Sequence, residues 1–162
     1  SDAPLIVTVG GLASRRDIID RLGNRMFATV VHPGATVSPE ARLGPGTYVG
    51  AGAIVNPRAV IGAHGIVNTG TIVEHECAIG DNVHLGPRSV LGGAVVIGPE
   101  TLVGLGAAVL PRVRIGERCV IAAGAVVTHE ISDRTTAVGV PARARAMGGP
   151  LIGVPGGENA EK

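Results

Sequence analysis

Residues 67–93 read VNTGTIVEHECAIGDNVHLGPRSVLGG, with an aliphatic residue at every sixth place: Val67, Val73, Ile79, Leu85 and Leu91. The same beat runs outward from Val31 to Val127, seventeen hexads without a slip. The second place of the hexad is often glycine, as at Gly80, Gly86, Gly92 and Gly98, which is expected of turns that need unusual backbone angles. The fifth place is small, as at Ala53, Thr71, Cys77 and Ser89. A period this strict is the hexapeptide signature of a parallel β-helix built from stacked layers. Three hexads make one coil of a triangle, so residues 18 apart stack vertically with coils about 4.8 Å apart.

Composition agrees with a stacked repeat. The chain is 45% hydrophobic, yet it holds one Phe, one Tyr and no Trp, with 26 Gly. An ordinary core leans on aromatic rings; this one must be built from Val, Ile, Leu and Ala. A formal net charge of +1 leaves no basic footprint for nucleic acid, and no aromatic platform is present to stack bases. No apolar run approaches a membrane span, and the N-terminus lacks a signal peptide's charged and apolar regions. The expected location is cytoplasmic. Cys77 and Cys119 both fall at inward fifth places and read as packing residues. Without a CxxC pair, neither a disulfide framework nor a cysteine zinc site is expected.

Along the chain, residues 1–30 carry a short β-α-β pattern. PLIVTVG (4–10) reads as a buried strand, Ser14 as the cap of a helix over about 15–22, and Phe27–Val31 as a returning strand. Residues 31–132 form the solenoid, and 133–162 a C-terminal cap and tail, with a GVP turn that recurs at 153–155 and a mobile end at GGENAEK. The sixth place of each hexad points outward. One outward column holds Ile54, Ile72 and Val90, and a second holds Tyr48, Ile66, His84, Leu102 and Val120. Two apolar stripes are more than a monomer exposes, and a trimer is the smallest ring that covers both.

Polar residues that the repeat does not require mark the candidate site. His75 sits at a corner with Gly93 18 residues above it. A base beside an exposed backbone amide suits acyl transfer, where one group takes a proton and the other steadies an oxyanion. Glu74 and Glu76 flank the histidine, and a carboxylate on the far ring nitrogen fixes the tautomer; a solvated turn is the plain alternative. His84 lies about 15 Å across the core from His75, from six-residue faces at about 3.3 Å per residue. The two meet only if a site forms between subunits; otherwise His84 is a histidine hydrogen-bonded within an interface. Asn68 stands one coil below Gly86 and either holds a substrate or satisfies a turn. His32, His64 and His129 read as surface residues.

Three segments carry a resemblance: VVHPGATVSPEARLGPGTYVGAGAIVNPRAVIG, VNTGTIVEHECAIGDNVHLGPRSVLGGAVVIG and VGVPAR, spanning about residues 28–146. The chain resembles the hexapeptide-repeat acyltransferases of the sialic acid O-acetyltransferase and bacillosamine-type UDP-amino-sugar N-acetyltransferase family. That resemblance implies a left-handed coil, a homotrimer with sites between subunits, and acetyl-CoA as co-substrate with no metal. It implies His75 as general base and Glu76 as the neighbour that raises its basicity. It places acetyl-CoA against His84, Gly93, Leu105 and Ala123, the last through its backbone amide. PLIVTVGGLASRRDIIDRL is similar only to the later part of the Rossmann-like domain with which family members begin.

The reaction expected is acetyl transfer to the amino group of a UDP-linked or free amino sugar, by direct attack, since no Cys or Ser is paired with the base as a nucleophile would be. Transfer to a sugar hydroxyl, a non-catalytic trimeric scaffold, and a zinc carbonic anhydrase of the same coil are the alternatives. The last lacks that family's pair of histidines five apart.

Overall fold

The computed structural model describes residues 3–145. The chain winds as a left-handed parallel β-helix of hexapeptide repeats. Each strand is two residues long and takes the sixth place of one hexad and the first of the next, as in Ile66–Val67, Ile72–Val73 and Ala78–Ile79. The strands line up as three faces of eight, six and five strands. From Val30 to Val127 the strands of each face pair with one another 18 residues apart: His84 lies opposite Ile66 and Leu102, and Val90 opposite Ile72 and Ala108. First-place side chains fill the axis. From Val49 to Val127 none is more than 4% exposed. Cys77 joins them at 1% exposed, its thiol donating to the Gly92 carbonyl at 3.2 Å.

The turns assign the glycines a different reason from the one expected. From Gly46 to Gly124 left-handed backbone falls at the fourth place of the hexad, whatever residue stands there: Gly70, Glu76, Asn82, Arg88 and Ala94 have φ between 54° and 66°. The second-place glycines do not take that conformation. What they provide is room. A Cβ on Gly80 would sit 2.6 Å from the Pro99 backbone nitrogen, and one on Gly104 would sit 2.5 Å from that of Ala123. Successive coils touch through their backbones at these corners, and a methyl group would push them apart.

The stack closes when Thr136–Val138 adds in parallel to Val120–Ile121 and the chain turns back antiparallel through Arg143–Arg145. Residues 146–162, with the second GVP sequence and the expected mobile end, lie outside the described residues.

The N-terminal segment departs from the expected β-α-β unit. No strand forms over 4–10; a single parallel bridge joins Leu5 to Phe27. The helix begins earlier, at Leu12–Leu22, with Gly11 at its N-cap and no side-chain cap, so Ser14 lies inside the first turn. Val30–Val31 pairs with Tyr48–Val49 and is the first rung of the solenoid. The segment is held to the coils by polar contacts that hydrophobic periodicity does not reveal. Arg15 is fully buried, and its guanidinium donates to Asn82 Oδ1 at 2.7 Å, to the Asn82 carbonyl at 3.1 Å and to the Val9 carbonyl at 2.9 Å. Burial, with Arg16 nearby, brings its pKa down to about 10, so it remains a cation at neutral pH. Phe27 meets the ring of His64 edge-on with centroids 4.5 Å apart. His64 is therefore half-buried under the N-terminal segment, and not the free surface residue expected.

This docking covers part of one outward stripe. Ile66, in the eight-stranded face beside His84, is 5% exposed. The stripe on the six-stranded face is left open, with Ile54 37% and Val90 38% exposed.

Hydrogen bonds from a charged donor contribute about 1.5–3 kcal/mol each. Arg15→Met should thus cost about 3 kcal/mol, all of it in the docking of the N-terminal segment. Limited proteolysis should cut within residues 3–27 while the solenoid's melting is unchanged. A cleavage pattern like that of the parent chain would count against this anchoring role.

Candidate acyl-transfer site

His75 stands at the corner between the six- and five-stranded faces, in the turn that links Ile72–Val73 to Ala78–Ile79. Its Nδ1 lies 3.2 Å from Glu76 Oε2. A carboxylate only accepts, so Nδ1 carries a proton, and in the neutral ring Nε2 holds the lone pair. That free nitrogen faces Gly93, one coil up. A Cβ built on Gly93 would sit 2.6 Å from Nε2 and 2.7 Å from Cε1 of His75. The ring occupies space that only glycine leaves. A concavity of about 300 Å³ opens here, lined by His75, Glu76, Gly93, Ala94, Pro111 and Arg112.

The carboxyl of Glu76 is held below its usual range, first by its hydrogen bond with His75 and then by Arg58, which donates to Oε1 at 3.1 and 3.3 Å. Glu74 serves otherwise: its carboxylate accepts from the His75 backbone N–H at 3.3 Å and makes no contact with the ring. Of the two flanking acids, Glu76 alone orients the imidazole. The left-handed φ of 62° at Glu76 is not a signal, because every fourth place from Gly46 to Gly124 shares it.

The third place of the hexad, where His75 and Gly93 stand, has its own logic. Its backbone N–H has no acceptor in the coil. Proline fills the place at Pro57, Pro87, Pro99 and Pro111, since a residue without an N–H loses nothing there. Elsewhere an acidic side chain reaches the amide, as Asp81 does for Ala63 at 2.7 Å and Asp133 for Glu117 at 2.9 Å. At Gly93, Leu105 and Ala123 the amide has no partner among the described residues. The same is true of Ala51, Asp81 and His129. An open amide thus marks a place for an acceptor without naming one.

The remaining expected residues sit elsewhere. Asn68, Leu105 and Ala123 lie on the next corner, between the eight- and six-stranded faces, and Leu105 is 59% exposed. His84 lies on the eight-stranded face, opposite the His75 corner. One chain therefore brings together His75, Glu76 and Gly93, and separately Asn68 with His84, while Leu105 and Ala123 stand higher on the second corner. It does not bring the two groups together.

Both ring nitrogens of His84 are engaged within the chain. Nδ1–H donates to the Gly10 carbonyl at 2.9 Å, and Nε2 accepts from Asn68 Nδ2 at 3.2 Å. Asn68 Oδ1 in turn accepts from the Thr69 N–H at 2.8 Å. Burial lowers the imidazole's pKa against the opposing pull of the Gly10 carbonyl, so the neutral tautomer is fixed. Arg58 and Arg112 are the residues at the His75 corner that hexad reading missed. The signal was present as charge recurring every 18 residues at one corner.

Among the described residues no three His, Cys, Asp or Glu side chains gather as a metal site requires, and no helix is long and apolar enough to cross a membrane.

Comparison with known proteins points the same way. Residues 94–129 match the family described as bacterial transferase hexapeptide (six repeats). Perosamine N-acetyltransferase from Caulobacter crescentus, solved with CoA and GDP-perosamine, is 38% identical, with a TM-score of 0.86 over 89% of this chain and 70% of that one. A histidine-to-asparagine variant of that enzyme, with the same two ligands, is 37% identical over the same shares, also with a TM-score of 0.86. The acetyltransferase domain of PglB from Neisseria gonorrhoeae, solved with acetyl coenzyme A, is 35% identical, with a TM-score of 0.85 over 88% of this chain and 70% of that chain. No curated protein matches the sequence.

The contact between Gly93 and His75 makes a sharp structural expectation. In Gly93→Ala the new methyl meets the far end of a side chain that can turn away, so the melting temperature should move little. The ring must retreat by about 1 Å to reach ordinary contact distance, which a crystal structure of the variant would show. An imidazole that stays in place would refute the close fit.

Proposed function

This chain belongs to the hexapeptide-repeat sugar N-acetyltransferases, and from that premise we propose that it moves an acetyl group from acetyl-CoA to the amine of a nucleotide-linked amino sugar in the cytoplasm, with His75 as general base. The observation that carries this reading is the position of the His75 ring, with Nδ1 on Glu76 and Nε2 facing the space left by Gly93. The acceptor amine attacks the thioester carbonyl while Nε2 takes its proton. The N–H of Gly93 lies open beside the base to meet the developing oxyanion. Glu76 accepts from Nδ1–H throughout, which holds the reactive tautomer and stabilises the imidazolium that forms. The tetrahedral intermediate then collapses, the C–S bond breaks, and the CoA thiolate leaves.

The ligands seen in related proteins support the two substrates. One relative holds CoA with GDP-perosamine and another holds acetyl coenzyme A. The sequence resemblance named uridine, whereas the perosamine enzyme holds a guanosine nucleotide, so the substrate class is what carries over, and not the base.

A homotrimer completes the site. The open stripe through Ile54 and Val90 needs a cover. A ring that covers it sets the His75 corner of one chain against the Asn68–Leu105–Ala123 corner of the next. Acetyl-CoA then runs in the groove between, its pantetheine arm against Leu105 and the Ala123 amide. Since the nitrogens of His84 are already engaged, it serves by holding Asn68 and presenting its ring edge to the cofactor.

Thiol release from acetyl-CoA in the presence of nucleotide-linked amino sugars tests the reading. His75→Ala should lower kcat by about 10²–10⁴-fold, as loss of a general base does, with acetyl-CoA binding by calorimetry little changed. A variant that kept most of its rate would remove His75 from the mechanism.

A further inference from the structure

The fourth places of the hexads at the His75 corner form a vertical column 18 residues apart: Glu40, Arg58, Glu76, Ala94 and Arg112. Charge alternates up the column as far as Glu76 and then stops at Ala94, where the concavity opens. Below the gap the charges are in contact. Arg58 donates from Nη2 and Nε to Glu76 Oε1 at 3.1 and 3.3 Å, and its Nη1 lies 3.8 Å from Glu40 Oε2. Above the gap the Arg112 backbone N–H donates to the Gly93 carbonyl at 2.9 Å, and its guanidinium has no ion pair among the described residues.

The two oxygens of Glu76 are thereby divided between two partners. Oε1 goes to the guanidinium and Oε2 to Nδ1 of His75. A glutamate side chain that is half exposed, as this one is at 49%, turns freely about three bonds unless something fixes its plane. The guanidinium pins Oε1 with two hydrogen bonds while Nδ1 of His75 takes Oε2, and the two anchors together set the plane. We propose that Arg58 is a positioning residue for acetyl transfer, which clamps Glu76 so that its second oxygen stays on His75 and the ring stays aimed at the acceptor.

The charged groups around the imidazole are few. Glu74 and Glu76 stand on its own turn, Arg58 and Glu40 on the coils below, and Arg112 two coils above. Glu74 is occupied with backbone, and Ala94 separates Arg112 from Glu76 in the column. Arg58 is therefore the cation that sets the geometry of the pair. Exposed ion pairs add little to folding, so the contribution should appear in turnover and not in melting. The backbone at Arg58 has φ 60°, a cost that any side chain other than glycine shares, so replacement adds no new strain.

This inference rests on His75 and Glu76 acting as proposed, and a double-mutant cycle separates the two. Arg58→Met should lower kcat about tenfold, the range expected when a reacting group is loosened without being removed, with KM for acetyl-CoA and the melting temperature nearly unchanged. Arg58→Lys should recover part of the loss, and added ethylguanidine should restore turnover in Arg58→Met. In a Glu76→Gln background, Arg58→Met should cost nothing more. If Glu76→Gln is impaired while Arg58→Met keeps the parent kcat, or if Arg58→Met costs as much in both backgrounds, Arg58 has no such role. If Glu76→Gln itself turns over like the parent, the reading of the His75–Glu76 pair fails, and the clamp with it.

Discussion

Backbone hydrogen bonding from each coil to the next governs this molecule. Ile66 N donates to the Val83 carbonyl and Asn68 N to the Leu85 carbonyl, at 2.9 and 3.0 Å, and the pattern repeats up each face. Strands of two residues cannot set a register by their own side chains. The register comes from pairing the strand backbone of each coil with the coil above and below it, and hydrophobic first-place residues then seal the axis. Everything at the surface inherits its vertical neighbours from that spacing. Gly93 lies over His75, and Glu76 over Arg58, because the coil allows no other arrangement.

Such rigidity suits a site whose parts must be held closely. A base displaced by about 1 Å loses much of its effect, and here the imidazole lies in a notch cut by the absence of one Cβ. The coil also limits what one chain can do. Residues on different corners cannot approach each other without breaking the stack, so the His75 corner and the Leu105–Ala123 corner face away from each other in every chain. A groove that uses both has to be built from two copies.

The period, the inward and outward places and the neighbour of His75 were all legible in the sequence, because each follows from counting in sixes. The reason for the second-place glycines was not. Counting cannot tell a residue that needs left-handed backbone from one that needs space, and Gly80 needs space against Pro99. The N-terminal segment was misread for a related reason. PLIVTVG looks like a strand by composition, but what fixes it is the buried guanidinium of Arg15 on Asn82, a contact across 67 residues that no local pattern contains. The engagement of His84 by the Gly10 carbonyl was hidden in the same way. The charge column through Arg58 and Glu76 was visible in principle, once residues were sorted by corner as well as by place in the hexad.

Whether the catalytic groove is shared between chains can be measured directly by subunit mixing. Chains carrying His75→Ala lack the base, and chains carrying Ala123→Phe obstruct the other corner; each alone should be nearly inactive. Co-refolded in equal amounts, they should regain about a quarter of the parent activity, since in a cyclic ring about one groove in four pairs two intact corners. A mixture no more active than its components would show that each chain works alone and would contradict the shared groove.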